Sequence, residues 1–148
     1  MFNKRSLSVT FVIFLFLAAS TTIANPKNSS ESWKSRIVEN LTIGIKSEND
    51  GLRISSASIL GKLIDQKVLK ESETGQALIP LYKMLSTGKS EEERIVAALS
   101  LFKTGDEIGI HKLRGSALFD ESEKVRKVCK NLYYTFHEQN GTMYLYDL

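Results

Sequence analysis

The chain has 148 residues, with 20 basic against 17 acidic side chains, a formal net charge of +3 and 42% hydrophobic residues. That is enough chain for one modest domain with its own core. A single cysteine, Cys129, excludes an internal disulfide, and the small charge excess argues against a nucleic-acid binder.

Residues 1–24 read as a secretory signal peptide. Lys4 and Arg5 precede an apolar run from Leu7 to Ala19, and small residues lead to Ala24. The run covers 13 residues, short of the roughly 20 that a membrane-spanning helix needs. Cleavage before Asn25 is expected, and no cysteine follows the run to accept a lipid. Both signal cations leave with it, so 18 basic and 17 acidic residues remain and the mature charge is +1. The expected location is the periplasm or the cell exterior, and the cleaved product does not span a membrane. Asn28, Asn40 and Asn140 each begin an Asn-X-Ser/Thr triplet. Asn40 falls inside a predicted helix, and chance in an Asn- and Ser-rich chain accounts for the pattern.

The mature start, NPKNSSES over 25–32, is polar and turn-rich and predicts a flexible N-terminus. From Trp33 to about His137 the chain predicts helices with short interruptions. The first carries Trp33, Ile37, Leu41 and Ile45 at intervals of four. KSEND breaks it, and a second helix is expected from Gly51 to Asp65 with Leu52, Leu60, Leu63 and Ile64 as core. QALIPLYKMLSTG predicts a third, with Leu78, Leu81, Tyr82 and Leu85 on one stripe and Pro80 near its first turn. Ser90 and Glu93 have the spacing of a capping box for the fourth. A fifth helix from Glu107 to Leu118 and a sixth from Ser122 to His137 complete the series.

The second member of each predicted pair can be aligned on an arginine: Arg53, Arg94 and Arg126. Three residues later stand the small Ser56, Ala97 and Cys129, and seven later the larger Leu60, Leu101 and Tyr133. Small side chains let neighbouring helices approach, and large ones fill the layer between them. Asp50 and Asp120 precede the first and last helices, and Glu91–Glu93 the middle one.

This pattern, RISSASILG above all, resembles the HEAT-like repeat family over about residues 33–137. The resemblance implies an all-α fold, a short α-solenoid of about three antiparallel helix pairs, in which a turn aspartate pairs with the arginine of a neighbouring unit. Arg53, Arg94, Arg126, Asp50 and Asp120 match those positions. The intervals of 41 and 32 residues between arginines are uneven against a period of about 40–47, which implies a shortened first helix in the last unit. The leucine–glycine pair occurs only at Leu60-Gly61. About three units are the minimum for a stable stack. Residues 138–148 form a separate tail, in which Asn140-Gly141 predicts a turn and MYLY an extended, β-like segment.

No catalytic constellation is visible. His111 and His137 are 26 residues apart, and no HExxH or CxxC motif supplies the several convergent ligands that a metal site needs. Gly105, Gly109 and Gly115 lack the context of a phosphate loop, and no cofactor is expected. Lys112, Arg114, Lys124, Lys127 and Lys130 form a basic stretch that offers an interaction surface to an acidic protein or peptide. The sequence therefore predicts an exported protein-binding or scaffold module without catalytic activity. The alternative is a small helical-repeat enzyme or an enzyme-accessory protein of the lyase-associated type.

Overall fold

Six α-helices account for most of the described backbone in the computed structural model, which describes the backbone of residues 26–141 and the side chains of residues 33–141. They are α1 (Pro26–Ile45), α2 (Asp50–Asp65), α3 (Gly75–Thr87), α4 (Glu91–Thr104), α5 (Glu107–Phe119) and α6 (Glu123–Asn140). A 3-10 turn at Glu71–Glu73 leads into α3. No strand occurs among the described residues, so the fold is all-α. Contacts divide the chain into Met1–Ser30 and Glu31–Leu148, and the core, caps and ion pairs below belong to the second unit. The expected signal peptide and the β-like segment of the tail lie outside the described residues.

Two boundaries differ from expectation. α1 begins at Pro26, so residues 26–32 are helical where composition predicted an irregular segment. Proline is suited to the first helical position because its missing N–H has no helical partner there, and no later breaker interrupts the run. α6 continues through Asn140, three residues beyond His137, and stops at Gly141 in the left-handed region with φ 60°. Residues 138–140 therefore belong to the helix and not to a tail.

The ends of the other helices follow from local chemistry. Asn49, Ser90, Asp106 and Ser122 each accept a hydrogen bond from the backbone N–H three residues on, at 3.0, 3.1, 2.7 and 3.3 Å. After α2, Lys67 adopts φ 58°, while the N–H groups of Val68 and Leu69 both reach the Leu63 carbonyl. Pro80 occupies the sixth position of α3, one turn later than expected. It cannot donate to the carbonyl of Gln76, but Gln76 is exposed, so water is free to satisfy that group.

The helices assemble around α4, which packs on α2, α3 and α6 and touches α5. α5 pairs with α6, and α3 makes a lighter contact with α5. The core runs through Val38, Leu60, Leu81, Leu85, Leu101, Leu113, Val125 and Cys129, all buried. Of the residues aligned by register, Ser56, Ala97 and Cys129 are buried, as are Leu60, Leu101 and Tyr133. On α1, Val38, Thr42 and Ile45 are buried, whereas Trp33 is exposed and Ile37 and Leu41 are only partly covered. Leu52, expected in the core of α2, is 48% exposed.

Close approach is visible at two helix contacts. Gly44 of α1 faces Ser56 of α2, and a Cβ on Gly44 would lie 2.0 Å from the serine Oγ. On the other side of α2, Ser100 of α4 donates from Oγ to the Ala57 carbonyl at 2.8 Å, beside Gly61. Ser100 is equally close to its own Val96 carbonyl at 2.8 Å, so its one proton is shared between two acceptors. These small and hydroxyl side chains let α2 be covered by α1 and α4 at once.

Candidate functional site

The three aligned arginines occupy the same local geometry. Arg53, Arg94 and Arg126 each stand four residues after an N-cap, and each backbone N–H donates to the N-cap carbonyl. Each guanidinium then folds back and donates from Nη1 to the carbonyl six residues earlier. The acceptors are Ser47, Gly88 and Asp120, at 2.8, 2.9 and 2.7 Å. Those carbonyls lie in the turn before the helix, where no helical donor is available. One side chain thus ties each turn to the helix that follows it.

The guanidiniums differ in their acidic partners. Arg53 donates from Nε to Glu93 at 2.6 Å and from Nη2 to Asp50 at 2.5 Å. Glu93 belongs to α4 and its side chain is 4% exposed, so this pair joins α2 to the next aligned helix. Arg94 donates from Nη2 to Asp120 at 3.0 Å, and its Nε lies 2.9 Å from the other carboxylate oxygen, a charge contact outside hydrogen-bond alignment. Glu121 adds an exposed contact at 3.2 Å. Arg126 bonds only to the carbonyls of Asp120 and Glu121, and no carboxylate reaches it among the described residues.

Asp120 thus pairs with the arginine of the preceding aligned helix. Asp50 does not: it binds Arg53 of its own helix, three residues on. No aligned arginine precedes Asp50, and Glu93 takes the cross-helix role for Arg53. Glu93 also departs from the capping box. Ser90 caps its N–H, but its carboxylate accepts from Lys89 N–H at 2.9 Å and turns to Arg53. Sequence spacing could not separate these outcomes, because Glu91, Glu92 and Glu93 are adjacent and only helix phase decides which points inward.

A second polar joint sits between α4 and α5. Gly105 closes α4 with φ 63°. Asp106 Oδ2 then caps α5 and accepts the Tyr82 hydroxyl from α3. Burial first, and then the bond to Asp106, raise the pKa of the Tyr82 phenol.

The basic stretch divides into two parts. Lys112 lies on α5 with its Nζ 5.4 Å from the Tyr82 ring centroid, so it turns toward α3. Arg114 is also on α5 and half-buried, with its Nε fully covered. Lys124, Lys127 and Lys130 are exposed and recur every three residues along α6, spread over about 120° of its surface. Lys130 lies 5.8 Å from the Tyr134 centroid. His111 is exposed on α5, and His137 meets the Tyr133 ring edge-on at 4.5 Å.

The turns between α1 and α2 and between α3 and α4 border a cleft of about 210 Å³, lined by Lys46, Lys83, Met84, Lys89, Arg53 and Glu93. That is below the roughly 300–1,000 Å³ typical of small-molecule sites, and Arg53 already donates to Ser47, Asp50 and Glu93 within the protein. Among the described residues no group of three or more His, Cys, Asp or Glu side chains is placed to hold a metal ion. None of their helices is long and apolar enough to cross a membrane.

Cys129 is fully buried on α6, and burial, with a smaller contribution from Asp120, pushes its thiol pKa up to about 12. Thiolate is the reactive form, so the native protein should resist thiol reagents at pH 8, with labelling that tracks global unfolding in urea. Rapid labelling without denaturant would contradict this placement. The same shift has a consequence for stability. An unfolded thiol ionises near its ordinary 9 while the folded one stays protonated until about 12, so stability should fall as pH rises through that interval.

Comparison of the chain with protein-family models, curated proteins and solved structures finds no match.

Proposed function

We propose that the protein is an exported HEAT-like helical-repeat module that binds or scaffolds another protein and performs no catalysis itself. The observation that carries this reading is the threefold recurrence of one device: an N-cap, an arginine four residues on, and a guanidinium bond to the carbonyl six residues back. Sequence similarity at an arginine is weak on its own. The same three-part bond at three places is what internal repetition of a helix-pair unit produces. The ion pairs Arg53–Glu93 and Arg94–Asp120 then link one aligned helix to the next, as nearest-neighbour contacts do in repeat proteins.

In this reading the buried arginines and acids are structural, which leaves the exposed surface for recognition. The lysine stripe on α6 fits an acidic protein or peptide, through long-range attraction followed by rim contacts. The periplasm or the cell exterior is the place to look for that partner. The purified protein, used as bait in the exported fraction, is expected to capture a partner at low salt and release it as ionic strength rises. Lys124→Glu with Lys127→Glu should abolish capture without lowering the melting temperature, since both side chains are exposed. Capture that survives the charge reversal would reject this surface. Substrate turnover abolished by changing a single His or Asp would reject the non-catalytic reading itself.

A further inference from the structure

Asn140 is the one asparagine of the sequence that is followed by glycine, and the fold puts this pair at an open helix end. Asn140 closes α6, and Gly141 takes φ 60°, a conformation that glycine adopts without strain. Both residues are exposed. A Cβ built on Gly141 would meet no described atom within 4 Å, so its nitrogen is open to solvent base. The hydrogen bond of that nitrogen to the Glu138 carbonyl is 3.4 Å long, beyond the usual range for N–H donors. The side-chain amide of Asn140 is held more firmly, donating from Nδ2 to the Phe136 carbonyl at 2.8 Å.

An asparagine side chain and the next backbone nitrogen can close a five-membered ring. We propose that Asn140 is a site of spontaneous deamidation, reached by fraying of the last turn of α6. Gly141 N gives its proton to solvent and bonds to Asn140 Cγ, and Nδ2 leaves as ammonia. Water then opens the succinimide. Addition at Cγ yields aspartate, and addition at the main-chain carbonyl carbon yields isoaspartate, with the chain rerouted through Cβ and Cγ. One water is consumed and one ammonia released, with no redox change. The intact helix opposes ring closure, because the bond to Phe136 points the Asn140 amide back along α6 and away from Gly141 N. The last turn must therefore open first, and helix ends open at much lower free energy than the core.

The product acts on the structure that made it. Aspartate or isoaspartate at residue 140 lacks the Nδ2 donor to Phe136. It also places a negative charge at the helix C-terminus, where the dipole is already negative. Both effects loosen the last turn, which is bordered by Phe136, packed on the core, and includes His137 against the Tyr133 ring. The other exposed asparagines are placed differently. Asn40 and Asn131 lie in mid-helix and precede leucine. Asn49 precedes aspartate, and its side chain caps α2. The reaction uses neither the α6 lysines nor their partner, so it stands or falls separately from the proposed function.

Peptide mapping of the purified chain aged at mildly alkaline pH should find aspartate and isoaspartate at residue 140, with Asn40 and Asn131 intact. Labelling of Cys129, which is buried, separates the two routes to the reaction. Conversion through a frayed end should proceed in molecules whose Cys129 stays unlabelled, and should be insensitive to urea below the unfolding transition. Asn140→Gln should remove the reaction and keep the melting temperature, because the larger ring closes far more slowly. Asn140→Asp should speed amide exchange across residues 138–140 by about two- to fivefold, an effect that shrinks as salt screens the dipole. An intact Asn140 in the folded protein, under conditions that convert the urea-unfolded chain, would overturn the proposal. So would conversion that rises only in step with Cys129 labelling. Unchanged exchange in Asn140→Asp would reject the coupling to the last turn.

Discussion

Arg94→Met is expected to destabilise the protein by about 3–5 kcal/mol, the cost of breaking a buried ion pair by removing one partner. The side chains of Arg94 and Asp120 are both 7% exposed. Methionine has similar bulk, so the loss is electrostatic rather than a cavity. It strands the Asp120 carboxylate, which keeps only the Ser122 N–H at 2.8 Å, and it leaves the Gly88 carbonyl without its donor. Arg94→Lys should recover little, because one ammonium cannot reproduce the planar fork that meets both acceptors. Arg126→Met removes bonds to two carbonyls and no ion pair, in a half-exposed setting. It should cost about 0.5–1.5 kcal/mol. Urea denaturation would read both as lower midpoints at constant slope. Equal losses at the two positions would mean that the acidic pairing of Arg94 adds nothing to the turn-tying bond both arginines share.

That contrast marks how far the sequence reaches. The aligned arginines were legible because the device is local: N-cap, arginine and accepting carbonyl lie within seven residues, and spacing alone specifies them. The acidic partners were not. Which of Glu91, Glu92 and Glu93 meets Arg53 depends on where α4 lies against α2, a tertiary fact about 40 residues away in the chain. The stripe on α1 failed for a different reason. Steps of four residues drift by about 40° each on a helix of 3.6 residues per turn, so the row from Trp33 to Ile45 turns through about 120° and only its Ile45 end meets the covered side. Val38, Thr42 and Ile45 mix steps of four and three and hold one face. A hydrophobic period predicts a helix without fixing which side is covered. Leu52 is the same failure seen from α2: its pattern is that of a packed residue, and its neighbour is absent from the described helices. The basic stretch read as one patch because α5 and α6 are adjacent in sequence. Lys112 leaning on Tyr82 of α3 separates it from the α6 lysines.

Gly44→Ala should discriminate between two opposed effects at the α1–α2 contact. Gly44 lies in the last turn of α1, where alanine is favoured over glycine by up to about 1 kcal/mol on backbone entropy and helix propensity. If α1 were loosely attached, the substitution would stabilise. Packing predicts the reverse. The new Cβ would stand 2.0 Å from Ser56 Oγ and 2.8 Å from its Cβ. A serine rotamer change relieves the first clash but not the second, so the helices must separate. Overpacking of this kind costs about 1–3 kcal/mol, which exceeds the propensity gain, and a net loss is expected. Ser56→Gly removes both clashing atoms, so the double variant should be less destabilised than the two single changes predict together, a coupling that a double-mutant cycle measures. Simple additivity, or a stabilised Gly44→Ala protein, would show that α1 does not sit on α2 at this distance.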